Sequence, residues 1–397
     1  MLQCSRRTRF CDDASMPSVP SVLGDVSPAT FVRDYWQKRP LLVRQAVPRF
    51  AGLVERDQLL QLATRADASS RLVIEHPRRR ARWERHDGPF GGLDASMLPE
   101  SHWTVLVHGL ESLVPGAWEL LGRFGFIPAA RVDDLMVSYA TDGGSVGPHD
   151  DRYDVFLLQG PGRRLWRIMY RGDRSVVAGA AIRVLARFRA DEEWLLEPGD
   201  MLYLPPGVAH WGVAEGPCFT YSIGFLAPSH QVLVESFLGY LWHAIGPTLD
   251  PDALLRDAVR APARRPLALP DGMLAEVARV LGAVRWDART VEDFFGRFLT
   301  SPRSVGFHAP ARPLAPEAFA RRLRGRGRLT LALPSRGLER QRRIYLNGES
   351  YAADRPTLQL FESLVTARSL ALPIRVGSRT AALLHEWYTA GWLRLER

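Results

Sequence analysis

The sequence is short of cysteine and has no long apolar run. Its 397 residues include three cysteines, Cys4, Cys11 and Cys218, which are too few and too scattered for a disulfide framework or a zinc site. No apolar run approaches the roughly 18 residues that a membrane-spanning helix needs. The first residues lack the apolar core of a secretory signal. We therefore expect a cytoplasmic protein that does not associate with a membrane.

The charge balance is basic and the composition is otherwise ordinary. Lys+Arg number 52 against 43 Asp+Glu, which gives a net charge of +9, and most of the basic side chains are arginine. Such a balance favours polyanionic surroundings, including nucleic acid or ribonucleoprotein, but it also occurs in arginine-rich proteomes without any binding role. The length allows two or three domains with at least one sizeable core.

Changes of pattern along the chain predict an α+β protein with several domains. Short strands separated by Gly/Pro turns between about residues 100 and 226 indicate a sandwich or barrel. From Ser229 to about Leu299 the apolar residues follow helical periodicity. From Pro316 a helix, strands around an Asn-Gly-Glu turn and two further helices suggest a winged-helix-like module. The predicted boundaries are a flexible tail at 1–24, a β-rich domain at 25–228, a helical region at 229–305 and the end module at 306–397.

The segment GPHDD places a histidine beside two aspartates immediately before an apolar strand. Because side chains in a strand alternate between faces, His149 and Asp151 point the same way and Asp150 points the opposite way. An H-x-D pair supplies two of the three ligands in a 2-His-1-carboxylate site, which leaves coordination positions open on Fe(II).

The segment EPGDMLYLPPGVAHWG supplies the second histidine of such a site. His210 follows a strand and a tight Pro-Pro-Gly turn, a position at the mouth of a barrel that substrate can reach. We predict that His149, Asp151 and His210 bind one metal ion. The spacing favours iron, although barrels of this kind also bind other metals.

Arg164 opens the strand RRLWRIM, in which Arg164, Trp166 and Ile168 share the face that we expect to point inward. A buried guanidinium is costly unless it meets an anion, so Arg164 could pair with the far carboxylate of a metal-chelating dicarboxylate. The alternative is that Arg163 and Arg164 both flank an exposed hairpin turn.

Together these segments, GGSVGPHDDRYDVFLLQGPGRRLWRI and LEPGDMLYLPPGVAHWG, resemble the JmjC-type ribosomal oxygenases. The similarity is greatest to the bacterial branch, which hydroxylates an arginine of the sixteenth large-subunit ribosomal protein. It extends to DYWQKRPLLVR, DDLMVSYA, YSIGFLAPS and the end module, where it is weaker.

The resemblance implies a double-stranded β-helix (a JmjC, cupin-like jelly-roll barrel), a helical dimerisation region and a C-terminal winged helix. It also implies Fe(II), 2-oxoglutarate as cosubstrate, and O2. Arg164 matches the arginine that pairs with the distal carboxylate of 2-oxoglutarate. The family also places polar side chains around 2-oxoglutarate on the neighbouring strands. In this sequence those positions correspond to Ala140 and Thr220, where the relatives are expected to carry Ser and Asn.

The resemblance further assigns the substrate arginine to Asp134 and Tyr153, since a carboxylate pairs with a guanidinium and an aromatic ring stacks on it. The alternatives are an ordinary carboxylate at a strand start and a core aromatic. The expected partners are a large-subunit ribosomal protein as substrate and a second copy of the chain. Direct nucleic-acid binding is not expected, because the arginines of the end module lack interleaved stacking aromatics.

The function predicted in this way is that of a peptidyl-arginine hydroxylase, a 2-oxoglutarate/Fe(II)-dependent dioxygenase. Two other functions stay open at this point. One is a related oxygenase acting on a histidine residue or a small molecule. The other is a non-enzymatic barrel whose winged helix binds DNA as a regulator.

Overall fold

The computed structural model describes residues 21–78, 82–92, 95–255, 267–303 and 306–396, which divide between two compact units, Met1–Leu226 and Ala227–Arg397. Most of the predicted tail, residues 1–20, lies outside the described residues. The end of the predicted tail is wrong: Val22 and Leu23 are buried in the core of the first unit because both are apolar and pack beneath its sheet. The domain boundaries stay predictions.

The described residues of the first unit form three short α-helices and twelve strands. The first helix is capped by Ser27, whose hydroxyl accepts a hydrogen bond from the backbone N–H of Thr30, and Pro28 occupies the first turn. In chain order the elements are α1 Pro28–Asp34, β1 Leu41–Val43, α2 Arg56–Ala63, β2 Ser69–Glu75, β3 Trp83–Asp87, β4 Trp103–His108, α3 Gly116–Gly122, β5 Val132–Ala140, β6 His149–Asp150, β7 Asp154–Gln159, β8 Arg163–Met169, β9 Glu192–Leu196, β10 Met201–Leu204, β11 Ala209–Glu215 and β12 Cys218–Phe225.

These strands form two antiparallel sheets that build the predicted double-stranded β-helix. The larger has the order β1-β10-β7-β12-β5-β4-β2-β3 and the smaller the order β6-β11-β8-β9. Most neighbouring strands in the two sheets are not consecutive in the chain, as a jelly-roll barrel requires. The α+β jelly-roll fold predicted from the sequence is therefore confirmed.

Alternation along β5 and β12 separates the core from the interior of the barrel. Phe219, Tyr221 and Ile223 belong to the main apolar cluster, together with residues of the three helices. Thr220 and Ser222 lie on the opposite face and line the cavity inside the barrel. All eight residues of β12 are buried because both faces of this strand are covered.

The second unit begins with helices and ends with a winged-helix arrangement. Its tight turn between β15 and β16 has Asn347 at φ 52° and Gly348 at φ 85°, which is why the sequence places Asn-Gly there. The elements are α4 His230–Ile245, α5 Asp271–Gly282, α6 Ala288–Thr300, α7 Pro316–Leu323, β13 Arg328–Leu331, β14 Gly337–Arg340, β15 Arg343–Leu346, β16 Glu349–Ala352, α8 Arg355–Ala367, β17 Ser369–Ala371, α9 Ser378–Thr389 and β18 Leu393–Glu396.

Two three-stranded sheets, β17-β13-β18 and β14-β15-β16, pack with α7, α8 and α9 around a separate core that includes Phe319, Phe361 and Trp387. This module matches the predicted order of helices and strands. Among the helices that the structure describes, none is long and apolar enough to cross a membrane.

Candidate metal centre and active site

The structure brings His149, Asp151 and His210 together at the barrel mouth. One possible ligand atom from each residue lies within 4.8 Å of the other two. The convergence follows from strand register: β6 and β11 pair antiparallel with His149 directly opposite His210, and Asp151 follows immediately. Asp151 Oδ2 is 3.7 Å from His210 Nε2. Two imidazoles and one carboxylate on this scale suit one divalent metal ion of the first transition row.

Both imidazoles are held from behind by backbone carbonyl groups. His149 Nδ1 lies 2.9 Å from the carbonyl oxygen of Gly147, and His210 Nδ1 lies 3.0 Å from that of Val208. A carbonyl oxygen only accepts hydrogen bonds, so each Nδ1 carries the proton and donates it. With Nδ1 as the donor, Nε2 of each ring is left to bind a shared ion.

His210 is kept neutral at ordinary pH. Burial, reinforced by the neighbouring His149, lowers the pKa of His210 to about 4, although Asp151 acts in the opposite direction. Neutral imidazole is the form that binds a metal ion. Little proton release from His210 is therefore needed for an ion to bind at this site.

Asp150 does not join this cluster. Its carboxylate is turned toward Arg183, which donates to it, and toward Arg174, whose Nη1 lies 3.9 Å away. The alternation argument placed Asp150 on the opposite side from His149 and Asp151; Asp150 is absent from the ligand cluster, although it lines the same cavity.

A cavity of about 330 Å³ extends from the three candidate ligands into the barrel. Arg164 lies in its wall and is only 3% exposed, whereas Arg163 is exposed and pairs with Glu215 at the surface. The inward phase predicted for Arg164 is right, and the hairpin-turn alternative holds for Arg163 alone.

The guanidinium of Arg164 is not satisfied by the described residues. Its Nε and Nη2 are buried without a hydrogen-bond partner, and its nearest aromatic neighbour, Trp166, has its ring centroid 5.8 Å away. The hydroxyls of Thr104 and Thr220 are likewise buried without a partner and line the same cavity. Buried polar groups are normally hydrogen-bonded, so this set fits an anionic ligand that also accepts hydrogen bonds.

The prediction that Ala140 occupies one of the positions around the cosubstrate is wrong. Ala140 packs in a small apolar cluster with Ala214 and Cys218, beyond the cavity. The residue of β5 that pairs with Thr220 and lines the cavity is Ser138, one alternation earlier. The register between β5 and β12 decides this, and it is set by long-range pairing that the sequence does not reveal.

Thr104 was not predicted as a site residue. In WTVLVH it is the inward-facing polar residue of a strand that reads otherwise as core, which is the signal that could have indicated it. Its place beside the site depends on β4 being the neighbour of β5.

Asp134 and Tyr153 lie together near the outer part of the cavity. His108 Nδ1 donates to Asp134 Oδ2 across 3.0 Å. Tyr153 is 38% exposed and lines the cavity, so it is not a core aromatic. Burial, together with the carboxylates of Asp151 and Asp134, raises the pKa of Tyr153.

Gly224 keeps the space between these two side chains open. A Cβ atom at Gly224 would lie 3.2 Å from Asp134 Oδ1 and 3.8 Å from Tyr153 Cε2. A side chain at position 224 would therefore crowd the Asp134 carboxylate, and the carboxylate and the ring flank the same glycine.

The sequence comparisons define the class to which this arrangement corresponds. Residues 119–233 match the JmjC domain and residues 283–394 match the ROXA-like winged helix. The chain therefore carries a JmjC domain of cupin-like fold followed by a winged helix, as predicted.

Two bacterial ribosomal oxygenases are similar to this chain in sequence. A probable ribosomal oxygenase of Haemophilus influenzae is 39% identical over 58% of this chain and 56% of its own length. The ribosomal protein uL16 3-hydroxylase of Escherichia coli is 37% identical over 53% of this chain. Each alignment spans 56% of the relative's length, little more than half.

A solved structure extends the similarity along the chain. The structure of YcfD, a ribosomal oxygenase from Escherichia coli, in complex with cobalt and 2-oxoglutarate superimposes with a TM-score of 0.75 at 28% identity, covering 93% of this chain and 98% of that one. The predicted resemblance to ribosomal oxygenases is confirmed.

Proposed function

We propose that this protein is an Fe(II)- and 2-oxoglutarate-dependent oxygenase that hydroxylates an arginine side chain of a large-subunit ribosomal protein. One observation carries the proposal: His149, Asp151 and His210 face the unpartnered guanidinium of Arg164 through a single cavity. The similarity to a ribosomal protein uL16 3-hydroxylase supports the choice of substrate class.

The donor set fits Fe(II). His149, Asp151 and His210 would hold the ion by two Nε2 atoms and one carboxylate oxygen, which leaves positions open for other ligands. When bound, iron with 2-oxoglutarate and O2 supplies the oxidising power that inserts one oxygen atom into an unactivated C–H bond, with succinate and CO2 as co-products. The polypeptide contributes ligand geometry, orientation and a shielded site.

Arg164 orients the cosubstrate. Its buried guanidinium would pair with the distal carboxylate of 2-oxoglutarate, and the hydroxyls of Thr104 and Thr220 would donate to the same ligand. A bound anion would supply the hydrogen-bond partner that each of these three groups lacks among the described residues of the ligand-free protein. Ser138 belongs to the same wall of the cavity.

Asp134 and Tyr153 would hold the substrate arginine. The carboxylate of Asp134 would pair with the guanidinium and the Tyr153 ring would pack on its face; both side chains flank Gly224, which adds no side chain of its own beside them. Tyr153 lies beside Asp151, so a substrate arginine held by Tyr153 would have its aliphatic carbons near the metal.

The chain would act as a homodimer through α4 and α5. None of the side chains of α5 is buried, although Val277, Val280 and Leu281 are apolar and 40–67% exposed. Leu238 and Trp242 of α4 are 58% and 66% exposed. Isolated exposed apolar residues are ordinary, but repeated ones on two helices mark an interface, and a two-fold dimer is the commonest assembly.

The winged helix is better suited to architecture than to DNA reading. The face of α9 that carries Glu386 lies against β16, where the Tyr351 hydroxyl donates to Glu386 across 3.1 Å. The Glu386 carboxylate on this face would be repelled by the phosphates of DNA, which disfavours insertion of α9 into a groove. A ribosomal substrate made in the cytoplasm would place the enzyme there as well.

Intact-mass analysis tests the proposed function. Purified protein is incubated with Fe(II), 2-oxoglutarate and large-subunit ribosomal proteins, with the Asp151→Ala variant as the matched control. We expect a gain of one oxygen atom on an arginine of one ribosomal protein, with equimolar succinate, and no gain with the variant. An oxygen mapped to histidine, or turnover with no ribosomal product, would contradict the substrate assignment.

A further inference from the structure

The connection between β8 and β9, residues 170–191, is an ordered part of the barrel mouth. It doubles back on itself at the bridge between Val176 and Leu185. The N–H of Val177 donates to the carbonyl of Val184 across 2.9 Å, and the N–H of Ala186 donates to the carbonyl of Ser175 across 2.9 Å. We call these residues the cover segment.

The cover segment completes the cavity wall. Val184 is 3% exposed and packs in one cluster with Val73, Trp83 and Leu106 of the larger sheet. Its neighbours Ile182 and Arg183 line the same cavity as the three candidate metal ligands. The connection of the smaller sheet therefore reaches the larger sheet and closes one side of the mouth.

Three attachments join the cover segment to the ligand-bearing strands. The N–H of Leu185 donates to the carbonyl of Pro148 across 2.8 Å. Arg183 donates to the carboxylate of Asp150 and, across 3.2 Å, to its backbone carbonyl. Arg174 donates to the carbonyl of Gly207 across 3.0 Å and lies 3.9 Å from Asp150 Oδ2.

The carboxylate of Asp150 is the common point of this network. Arg183, after the turn of the cover segment, donates a hydrogen bond to this carboxylate, and Arg174, before the turn, lies 3.9 Å from it as a longer ion pair. The side chain of Asp150 is 16% exposed, so water screens these pairs less than it screens a surface ion pair. Without this carboxylate, the positive charges of Arg174 and Arg183 would lose an acidic group that lies near both of them.

We infer that Asp150 is a positioning residue for the protein substrate: it fixes the cover segment so that Ile182 and Arg183 form one wall of the substrate cleft. The inference rests on the proposed function for its substrate, but the anchoring itself is a property of this chain alone. It explains why the HDD motif carries an acid between two candidate ligands without that acid reaching the metal.

Asp150→Asn removes the charge with little change of shape, and Asp150→Glu keeps the charge. Glu193→Gln is the matched control, because Glu193 on β9 pairs with Arg167 at the exposed surface, 3.1 Å away. Hydrogen exchange of the metal-free proteins reports the anchor independently of catalysis. Mn(II) and 2-oxoglutarate binding, followed by the kcat and KM for a ribosomal-protein peptide, report the site.

We expect the amides of Leu185 and Val177 to exchange at least about tenfold faster in Asp150→Asn, since a hydrogen bond to a charged group is worth roughly that factor or more. The KM for the peptide should rise by a similar factor, with Mn(II) and 2-oxoglutarate affinities unchanged. In Asp150→Glu the exchange rates and the KM should return most of the way to the wild-type values, and in Glu193→Gln both should equal the wild-type values.

Unchanged exchange in the cover segment, or loss of Mn(II) binding in Asp150→Asn, would overturn the inference. Faster exchange with an unchanged peptide KM would overturn the positioning role. If the wild-type protein modifies no ribosomal protein, the proposed function fails while the exchange experiment still decides whether Asp150 anchors the segment.

Discussion

Replacing Arg164 with methionine should change two measurable properties in opposite directions. Arg164 is 3% exposed, and two of its guanidinium nitrogens are buried without a partner. Methionine has a similar length and no polar group, so it fills the space without requiring an anion. The substitution would therefore remove the proposed cosubstrate anchor and also a buried charge that the ligand-free protein must tolerate.

The sizes follow from the surroundings of Arg164. Breaking a buried, hydrogen-bonded ion pair by removing one partner costs about 3–5 kcal/mol, so 2-oxoglutarate affinity should fall by roughly a hundredfold to a few thousandfold. Leaving a buried polar group unsatisfied costs about 1–3 kcal/mol, so the ligand-free variant should gain free energy of unfolding by about that amount. For a domain of this size, the gain corresponds to a Tm increase of roughly 2–4 °C per kcal/mol.

Calorimetric titration of the Mn(II)-loaded protein with 2-oxoglutarate measures the first property, and scanning calorimetry of the ligand-free protein measures the second. Arg163→Met is the matched control, because its side chain is 53% exposed and its pair with Glu215 spans 3.7 Å. Its effects should stay below about 1 kcal/mol. A lower Tm with unchanged affinity in Arg164→Met would show that Arg164 is a structural residue and would refute the reasoning.

Three further outcomes are expected. Asp151→Ala should abolish Co(II) binding, followed by visible absorption, and leave the far-UV circular dichroism of the fold unchanged; tight binding by the variant would contradict the ligand set. Because the pKa of His210 is lowered from 6.5 to about 4, the unfolded chain takes up a proton over that range that the folded chain does not. The free energy of unfolding of the metal-free protein should therefore decrease as the pH falls from about 6.5 toward 4, and His210 should make no pH-dependent contribution above about pH 6.5. Urea unfolding measured over this range should show a weaker dependence of stability on pH in His210→Gln. Trp242→Glu with Leu281→Glu should convert dimer to monomer in analytical ultracentrifugation, and a wild-type monomer would contradict the proposed interface.

Local rules were enough to predict the part of the site that lies within single strands. Alternation placed His149 and Asp151 on one side and Asp150 on the other, and it put Arg164 inside the barrel rather than Arg163. These are relations between residues one or two positions apart, where strand geometry leaves little freedom. The same is true of the turn at Asn347.

Relations between strands could not be predicted in this way. Whether Ser138 or Ala140 lies beside Thr220 depends on the register of β5 with β12, and the contribution of Thr104 depends on the order of strands in the larger sheet. The cover segment shows neither helical nor alternating periodicity, so its contacts with Asp150 are visible only in three dimensions. Burial of Val22 and Leu23 likewise depends on distant partners.

An anaerobic titration of the metal-free protein tests the central claim most directly. Fe(II) is added first and 2-oxoglutarate second, with the stoichiometry and affinity of each measured by calorimetry. We expect one Fe(II) per chain, then one 2-oxoglutarate whose binding requires the metal and is weakened by Arg164→Met. Binding of 2-oxoglutarate with equal affinity in the absence of metal, or full Fe(II) occupancy in a variant that lacks both His149 and His210, would contradict the account.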